Sequence, residues 1–368
     1  ARSEDSIEIL LTEIAKNNFW ITIGTASYQI NSIYGGKLHK ESYLTKIDNI
    51  TFVLPVAWSL DDNEIIVDED ELTHWLSESG VATNPDQSSS YKQRCIGCHT
   101  SGFEVKVEGG IVETVSTLDG SKGYQESTIS CERCHGPGSE HVEVAESDDT
   151  NGSLHIVQPR YLSLERNIQV CAQCHSEGTA SQFTQAEINY PIDENGKLYR
   201  PGENLDDIFS QTDNNWNAPT VSKFFHQQYS DYKQSKHYQN TTYNPRCSDC
   251  HDSHADSNDN PSLLKQPVND NSLCLSCHQN LDFPTEYSVQ LHTQHPYDPE
   301  ESGASRCVSC HMTKTGKLVK SGDTGGHSFK VVTPADSLSM LKSLAAAGET
   351  DIEESDIIPS PCVQCHNL

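Results

Sequence analysis

The sequence predicts a mostly irregular chain in which short α-helices surround a core that side chains alone do not build, preceded by a small mixed α/β cap. Three observations carry this prediction. Apolar residues make up 34 % of the 368-residue chain, below the roughly 45–50 % of an ordinary globular protein. All 14 cysteines recur in one five-residue pattern. Residues 1–90 hold no cysteine. Something other than side chains is therefore expected to fill the interior beyond the cap.

The cap, residues 1–90, is predicted to combine one helix with several strands. Apolar residues recur at helical spacing between Ile7 and Ile14 in SIEILLTEIAKNNF, which favours an amphipathic helix. The stretches FWITIGTASYQI and NITFVLPVAWSL are rich in β-branched and aromatic residues, as strands are.

Every cysteine lies in a C-x-x-C-H motif. Paired cysteines also occur in disulfides and zinc sites, but neither requires a histidine directly after the second cysteine, whereas covalent attachment of c-type haem does. On one helical turn the two thiols reach the vinyl groups of one porphyrin, and the next imidazole reaches its iron. The seven motifs are CIGCH (Cys95, Cys98, His99), CERCH (Cys131, Cys134, His135), CAQCH (Cys171, Cys174, His175), CSDCH (Cys247, Cys250, His251), CLSCH (Cys274, Cys277, His278), CVSCH (Cys307, Cys310, His311) and CVQCH (Cys362, Cys365, His366).

The motifs predict seven haem c groups, that is, covalently attached iron protoporphyrin IX. Their porphyrins would supply the missing apolar interior, and we expect the chain not to fold without them. Because haem is attached in this way outside the cytoplasm, we expect an exported protein that is extracellular or at the cell surface, or alternatively periplasmic. The start ARSEDSIEIL is interpreted as a mature chain whose export signal has been removed.

The charge of the chain excludes some partners. A net charge of −28 and a pI of about 4.8 exclude nucleic acid, whose phosphates require a basic surface. No apolar stretch is long enough to predict a membrane span. The expected partners are other redox proteins or extracellular electron acceptors.

The second axial ligand of each iron is predicted to be histidine. Haem iron of this type takes His or Met, but the chain has only two methionines. Met312 directly follows His311 and cannot reach the opposite face of the same haem, and Met340 is expected to pack in a helix. Ten histidines remain outside the motifs. The predicted distal ligands are His39, His141, His237, His254, His292, His295 and His327.

Local sequence supports several of these choices. His141 follows the tight turn Gly136-Pro137-Gly138, and His327 follows two glycines. His292 and His295 are three residues apart and would share a helix face. TVSKFFHQQYSDYKQSKHYQN is predicted to be one helix between Pro219 and Pro245, with His226 as an alternative ligand to His237 on the same face. His74 and His155 are expected to be solvated or partly packed.

The motifs divide the rest of the chain. Residues 91–180 hold motifs one to three, with a hairpin expected near GGIVETVSTLDG; residues 181–218 form a turn-rich connection; and residues 219–368 hold motifs four to seven. Calcium binding is considered for DSHADSNDNPS, where Asp256, Asn258 and Asn260 alternate as in an EF-hand loop. Pro261 stands where that loop needs glycine, so a solvated loop is the preferred interpretation.

Together these features resemble the multihaem cytochromes c of bacterial and archaeal respiration, in particular one exported group. The likeness covers most of residues 30–330 and is carried, in order, by CERCHGPGSEH, RPGENLDDIF, HQQYSDYKQSKHY, CHDSH, HTQHP and CVSCHM. Some of these relatives reduce nitrite or oxidise hydroxylamine, others only carry electrons, and some stack into extracellular wires. The resemblance implies distal-ligand roles for His39, His141, His237, His254 and His327.

The leading hypothesis is electron transfer along a chain of bis-histidine haems. Self-association into a filament is a further hypothesis. Only two residues follow His366, so the haem attached there is expected to expose a porphyrin face, which is an interaction surface that a histidine from a neighbouring chain could cap. The alternative is an oxidoreductase with one open haem iron that acts on a small nitrogen or sulfur oxyanion. No motif ends in the lysine that marks the active haem of pentahaem nitrite reductases.

Overall fold

The computed structural model describes residues 8–35, 39–147, 154–212, 215–217, 220–255, 260, 262–301, 303–319, 321–350, 352–364 and 366. Backbone contacts divide the chain into two compact units. The first comprises Ala1–Cys174 and Gly178–Gln211, and the second His175–Glu177 and Thr212–Leu368. The division therefore falls inside the third motif.

The first unit contains eleven strands and six helices among its described residues. The strands are β1 (Ile9–Ala15), β2 (Asn18–Ile23), β3 (Ala26–Gln29), β4 (Ser32–Gly35), β5 (Lys40–Ile47), β6 (Ile50–Ser59), β7 (Glu64–Val67), β8 (Phe103–Glu108), β9 (Ile111–Ser116), β10 (Gly178–Ala180) and β11 (Phe209–Gln211). The helices are α1 (Glu69–Leu72), α2 (Tyr91–Arg94), α3 (Ile96–His99), α4 (Glu132–His135), α5 (Ser139–Glu146) and α6 (Leu164–Ala172). Short 3-10 turns lie at Thr73–Trp75, Gln87–Ser89, Pro159–Tyr161 and Leu205–Asp207.

Antiparallel sheets account for most of the regular secondary structure in this unit. β1-β2-β3 and β4-β5-β6-β7 are meanders, while β8 pairs with β9 and β10 with β11. The β8–β9 hairpin lies where a hairpin was expected. Its turn residues Gly109 and Gly110 have φ of 60° and 84°, values that glycine adopts at no steric cost.

The helix predicted around Ile7–Ile14 is wrong. Residues 9–15 form strand β1, which pairs antiparallel with β2; Ile7 lies outside the described residues. The chain reverses at Asn17, whose φ of 62° is one that asparagine tolerates. Leu10 and Leu11 are 47 % and 40 % exposed, so the apolar spacing does not mark a buried helix face.

The described residues of the first unit include two clusters of buried apolar side chains. One lies between the N-terminal sheets and includes Ile21, Leu54 and Trp75, whose Nε1 donates to Val53 O at 2.9 Å. The other surrounds the first motif, and residues of the stretch expected to be a connection contribute to it, among them Phe183, Ile188, Tyr190 and Ile192. Residues 181–211 of the expected connection therefore belong to the packed body of the first unit.

The second unit has four strands and six helices among its described residues. The strands are β12 (Asn215–Asn217), β13 (Thr220–Ser222), β14 (Lys314–Lys317) and β15 (Ser321–Gly325); the helices are α7 (Gln228–Gln234), α8 (Cys247–Cys250), α9 (Ser272–His278), α10 (Glu286–Thr293), α11 (Cys307–His311) and α12 (Pro334–Ala346). 3-10 turns lie at Glu354–Asp356 and Pro361–Gln364. β12 pairs with β13 and β14 with β15. One small apolar cluster contains Trp216, Val221, Val332 and Ile358, with Met340 packed against it.

The single long helix predicted over TVSKFFHQQYSDYKQSKHYQN is also wrong. Its first residues form β13, and only α7 is helical. The buried carboxylate of Asp231 accepts hydrogen bonds from the Ser222 N–H and Oγ, both at 2.8 Å, which ties β13 to α7. His226 and His237 therefore lie on either side of a seven-residue helix, not on one face of a long one.

Within the described part of the chain, none of the helices has the length and apolar character that crossing a bilayer requires.

Candidate haem-binding sites

Most of the motifs lie on single helical turns. α3, α4, α9 and α11 end at the motif histidine, and α8 ends one residue before it. The N–H groups of His135, His251 and His366 each donate to the carbonyl of the first cysteine of their motif at 2.9 Å. This bond closes one turn, so cysteines three residues apart lie on the same side of it. Cys365 lies outside the described residues.

Four motif histidines face a second histidine ring in the described part of the second unit. The ring centres are 6.3 Å apart for His251 and His327, 6.0 Å for His278 and His237, 5.9 Å for His311 and His292, and 6.0 Å for His366 and His295. A metal–imidazole bond is about 2 Å long and the ring centre lies about 1 Å beyond its nitrogen, so imidazoles on opposite faces of one iron have centres about 6 Å apart. These separations fit an iron between each pair.

Hydrogen bonds orient several of these rings. In the second unit, Nδ1 of His251 donates to Ser262 O (2.8 Å), that of His311 to Phe329 O (3.2 Å), and that of His295 to Thr293 O (2.7 Å). A carbonyl only accepts, so the proton is on Nδ1 and the lone pair is on Nε2. This arrangement sets the tautomer and ring orientation of metal-binding histidines.

The distal candidates are brought to the motif histidines by breaks in regular structure. His292 lies on α10, but Gln294 has φ 60° and ends the helix. His295 is therefore turned away from the face of His292. The ring of His292 lies beside His311, and the ring of His295 lies beside His366. The expectation that they share a helix face is wrong.

His327 lies in the loop after β15, where its backbone N–H donates to the Asp231 carboxylate at 2.8 Å. Its Nδ1 donates to Gly325 O at 3.2 Å. Burial, with a contribution from the nearby His251, lowers the pKa of His327 to about 4. The ring is thus neutral at pH 7, as an iron ligand must be. Asp231 was not identified from the sequence, because its role depends on a contact 96 residues along the chain.

His237 follows α7, and its ring meets the edge of Phe329 with centres 4.4 Å apart. Burial and the imidazoles of His278 and His311 lower the pKa of His237. The alternative ligand His226 packs on Phe225, with ring centres 4.0 Å apart. The ring of His237 lies beside that of the motif histidine His278.

The other predicted ligands have different surroundings. Nδ1 of His39 lies 2.8 Å from Asp61 Oδ2, and Nδ1 of His141 donates to Leu154 O at 2.7 Å. His254 is exposed in the turn after motif four. For these three, the sequence-based ligand assignment stays a prediction. His155 is exposed beside Glu140.

The remaining motif histidines also have partners for Nδ1 or for the ring. Nδ1 of His135 donates to Val157 O at 2.8 Å, and Nδ1 of His175 lies 3.3 Å from Gln228 Oε1. The His99 ring meets the edge of Tyr34, with centres 4.9 Å apart, and burial lowers the pKa of His99.

Motifs five and six are tied together by Asn271, a buried residue that sequence reasoning missed. Its Oδ1 accepts from the Cys307 N–H at 2.8 Å and its Nδ2 donates to Ser305 O at 2.9 Å. An interaction with the Cys307 thiol raises the pKa of the Cys274 thiol, so these two cysteines, one from each motif, are near each other. The attachment edges of the two haems would therefore be adjacent.

The close packing of motif one against its neighbours depends on the glycine between its cysteines. A Cβ on Gly97 would lie 2.0 Å from Cγ of Tyr190, a fully buried ring whose hydroxyl donates to Lys92 O at 2.7 Å. Only glycine fits beneath this ring.

Within the described residues, no group of three or more His, Cys, Asp or Glu converges on a possible metal position. Of the residues considered for calcium, Asp256, Asn258 and Pro261 lie outside the described part of the chain, and the Asn260 side chain bonds the backbone of Leu264.

Two family models match parts of the chain. Residues 68–136 match the family described as cytochrome c554 and c-prime, and residues 242–283 match the doubled CXXCH motif. The comparisons support a multihaem c-type cytochrome. The matches indicate covalently bound haem c in this chain. Among curated proteins, no match was found.

Among solved structures, the chain is similar to the crystal structure of the outer cell wall cytochrome OcwA. The TM-score is 0.55 and the identity 19 %, with 90 % of this chain and 71 % of that chain covered. At this identity, the likeness concerns the fold.

Proposed function

We propose that this protein transfers electrons along seven covalently bound haems, most or all with histidine on both faces of the iron. The observation that carries the proposal is the set of four facing imidazole pairs, with ring centres 5.9–6.3 Å apart. For the remaining three haems, His39, His141 and His254 are the proposed distal ligands.

The haems supply one-electron exchange, and the chain positions them. In each proposed pair, two imidazoles would hold one haem iron in both oxidation states, so little would have to rearrange when an electron passes. The carbonyls that accept from Nδ1 hold the rings in place. The proximity of Cys274 and Cys307 supports a short path between haems five and six.

We also propose that the protein is exported and works at the cell surface or outside it, with the periplasm as the alternative. Haem attachment outside the cytoplasm supports export, and the similar solved structure is titled an outer cell wall cytochrome. The proposed partners are redox proteins or extracellular electron acceptors.

The proposal is tested on the native holoprotein. Intact-mass measurement is expected to find seven covalently added haems, and absorption and EPR spectra are expected to show low-spin iron only. A mass without added haem would overturn the proposal. A high-spin component that nitrite shifts would instead support the alternative, an oxidoreductase with one open iron.

Self-association into a filament stays a hypothesis. The ring of His295, in the same unit, lies 6.0 Å from that of His366, so His295 is the proposed distal ligand of this haem, and a histidine from a second copy is not part of the proposal.

A further inference from the structure

Within the first unit, hydrogen bonds join motif one, motif two and the cysteine-bearing part of motif three through one shared position. Gly97, Arg133 and Gln173 each stand directly before the second cysteine of their motif. Arg133 Nη2 donates to Gly97 O at 2.6 Å, and Gln173 Nε2 donates to Arg133 O at 2.8 Å. The Cys98 thiol lies 3.8 Å from Gln173 O. Arg133 is thus held at the point where the three motifs meet.

The guanidinium of Arg133 is buried without a counter-charge from the protein. The residue is 5 % exposed, and its Nε has no hydrogen-bond partner in the structure. Among the described residues, none of the ion pairs includes it. Arginine stays protonated in proteins, and a buried unpaired charge is costly. The net charge of the chain is −28, yet within the described residues no carboxylate forms an ion pair with this guanidinium.

The charge lies beside the second cysteines of two motifs. Arg133 directly precedes Cys134 in the sequence, and its Nη2 donates to the carbonyl of Gly97, the residue directly before Cys98. Cys98 and Cys134 are the second attachment cysteines of motifs one and two. The guanidinium therefore lies near the edges of the porphyrins that these cysteines would carry.

We propose that Arg133 raises the reduction potentials of the haems attached at motifs one and two. The inference rests on the proposed function, in which those motifs carry redox-active haem. When a neighbouring haem or an external donor gives up one electron, one Fe(III) becomes Fe(II) and the haem loses one positive charge. A fixed positive charge in a buried, weakly screened site favours the form with less positive charge.

The test is spectroelectrochemical titration of the holoprotein and three variants. R133Q removes the charge and retains a side-chain amide. R133K retains the charge without the guanidinium. R160Q removes an arginine charge from an exposed site in the same unit and serves as the matched control. The haem content of each protein is measured by intact mass before titration.

We expect part of the R133Q titration curve to move to lower potential, with the curves of R133K and R160Q unchanged. An R133Q protein that carries its full complement of haem and titrates like the wild type would overturn the inference while leaving the proposed function intact. A wild-type protein without haem would instead overturn the proposed function.

If R133Q does not take up its full complement of haem, the titration curve of R133K is used to test the inference. A wild-type curve for R133K supports a role for the charge. A shifted curve, or failure of R133K to assemble, would show that the hydrogen bonds of the guanidinium are what the site needs, and would overturn the inference.

Discussion

An imidazole is ready to bind iron when its Nδ1 proton is held by an acceptor and its Nε2 lone pair points at the metal. In this protein, backbone carbonyls provide several of the acceptors, as Ser262 does for His251 and Phe329 for His311. Because a carbonyl acceptor does not depend on side-chain identity, these contacts leave little trace in the sequence.

Truncation of one distal candidate tests the pairing at this scale. His292→Ala removes the imidazole that faces His311, so the haem of motif six is expected to become high-spin, while the other haems stay low-spin. Absorption and EPR spectra of the holoprotein measure the change. His155→Ala, at an exposed histidine, is the control. A purely low-spin spectrum for H292A would contradict the pairing.

The chemistry of single residues was predictable only where covalent bonding fixes the spacing. Attachment of haem forces two cysteines and a histidine into five consecutive positions, so the motifs could be recognised directly. The pairing of His327 with His251, or of His366 with His295, joins positions tens of residues apart. Folding decides such pairs, and the sequence offered only a surplus of candidate histidines.

At the scale of elements, short helices rather than long ones hold the motif cysteines and histidines. The motif helices are four to nine residues long, well below the length at which an isolated helix is stable in water. They depend on surrounding contacts, such as the packing of Tyr190 on Gly97 or the bonds of Asn271 to motif six.

Gly97→Ala tests one such contact. The new methyl group would overlap the buried Tyr190 ring, and overpacking of this kind costs about 1–3 kcal/mol. We expect lower thermal stability of the holoprotein, measured by calorimetry, and incomplete haem attachment at motif one, measured by peptide mass. Gly138→Ala is the control, since its Cβ would meet only an ordinary contact at 3.6 Å. Equal stability of the two variants would contradict the packing argument.

Periodicity misassigned two elements for physical reasons. The spacing of apolar residues before Ala15 fits a helix, but the turn at Asn17 allows β1 to pair with β2. The polar stretch after Val221 also has helical character, but the buried carboxylate of Asp231 binds β13 and the loop of His327 at once. A pattern within one segment does not reveal a distant partner that competes for its backbone.

At the scale of the molecule, the two units differ in what fills them. The first has two clusters of buried apolar side chains that include Trp75 and Tyr190, whereas the described part of the second has one small cluster around Trp216. The low apolar content of the chain is therefore unevenly distributed. Dependence on haem for folding is expected to be concentrated in the second unit.

Hydrogen exchange of the chain prepared without haem tests this difference. Amides of β5 and β6 are expected to retain partial protection, because side chains cover that sheet, while α8, α9 and α11 are expected to exchange as fast as unfolded peptide. Mass spectrometry of peptides from the haem-free and native chains gives the comparison. Uniform loss of protection would restore the expectation that no part of the chain folds without haem.

The division between the units has a practical consequence for anyone who wishes to separate them. It falls between Cys174 and His175, and residues 178–211 then return to the first unit. A truncation at this point would leave the thiols of one haem site on one fragment and its imidazole on the other. Cutting the chain between Cys174 and His175 therefore does not give two independent fragments, even though each unit is compact.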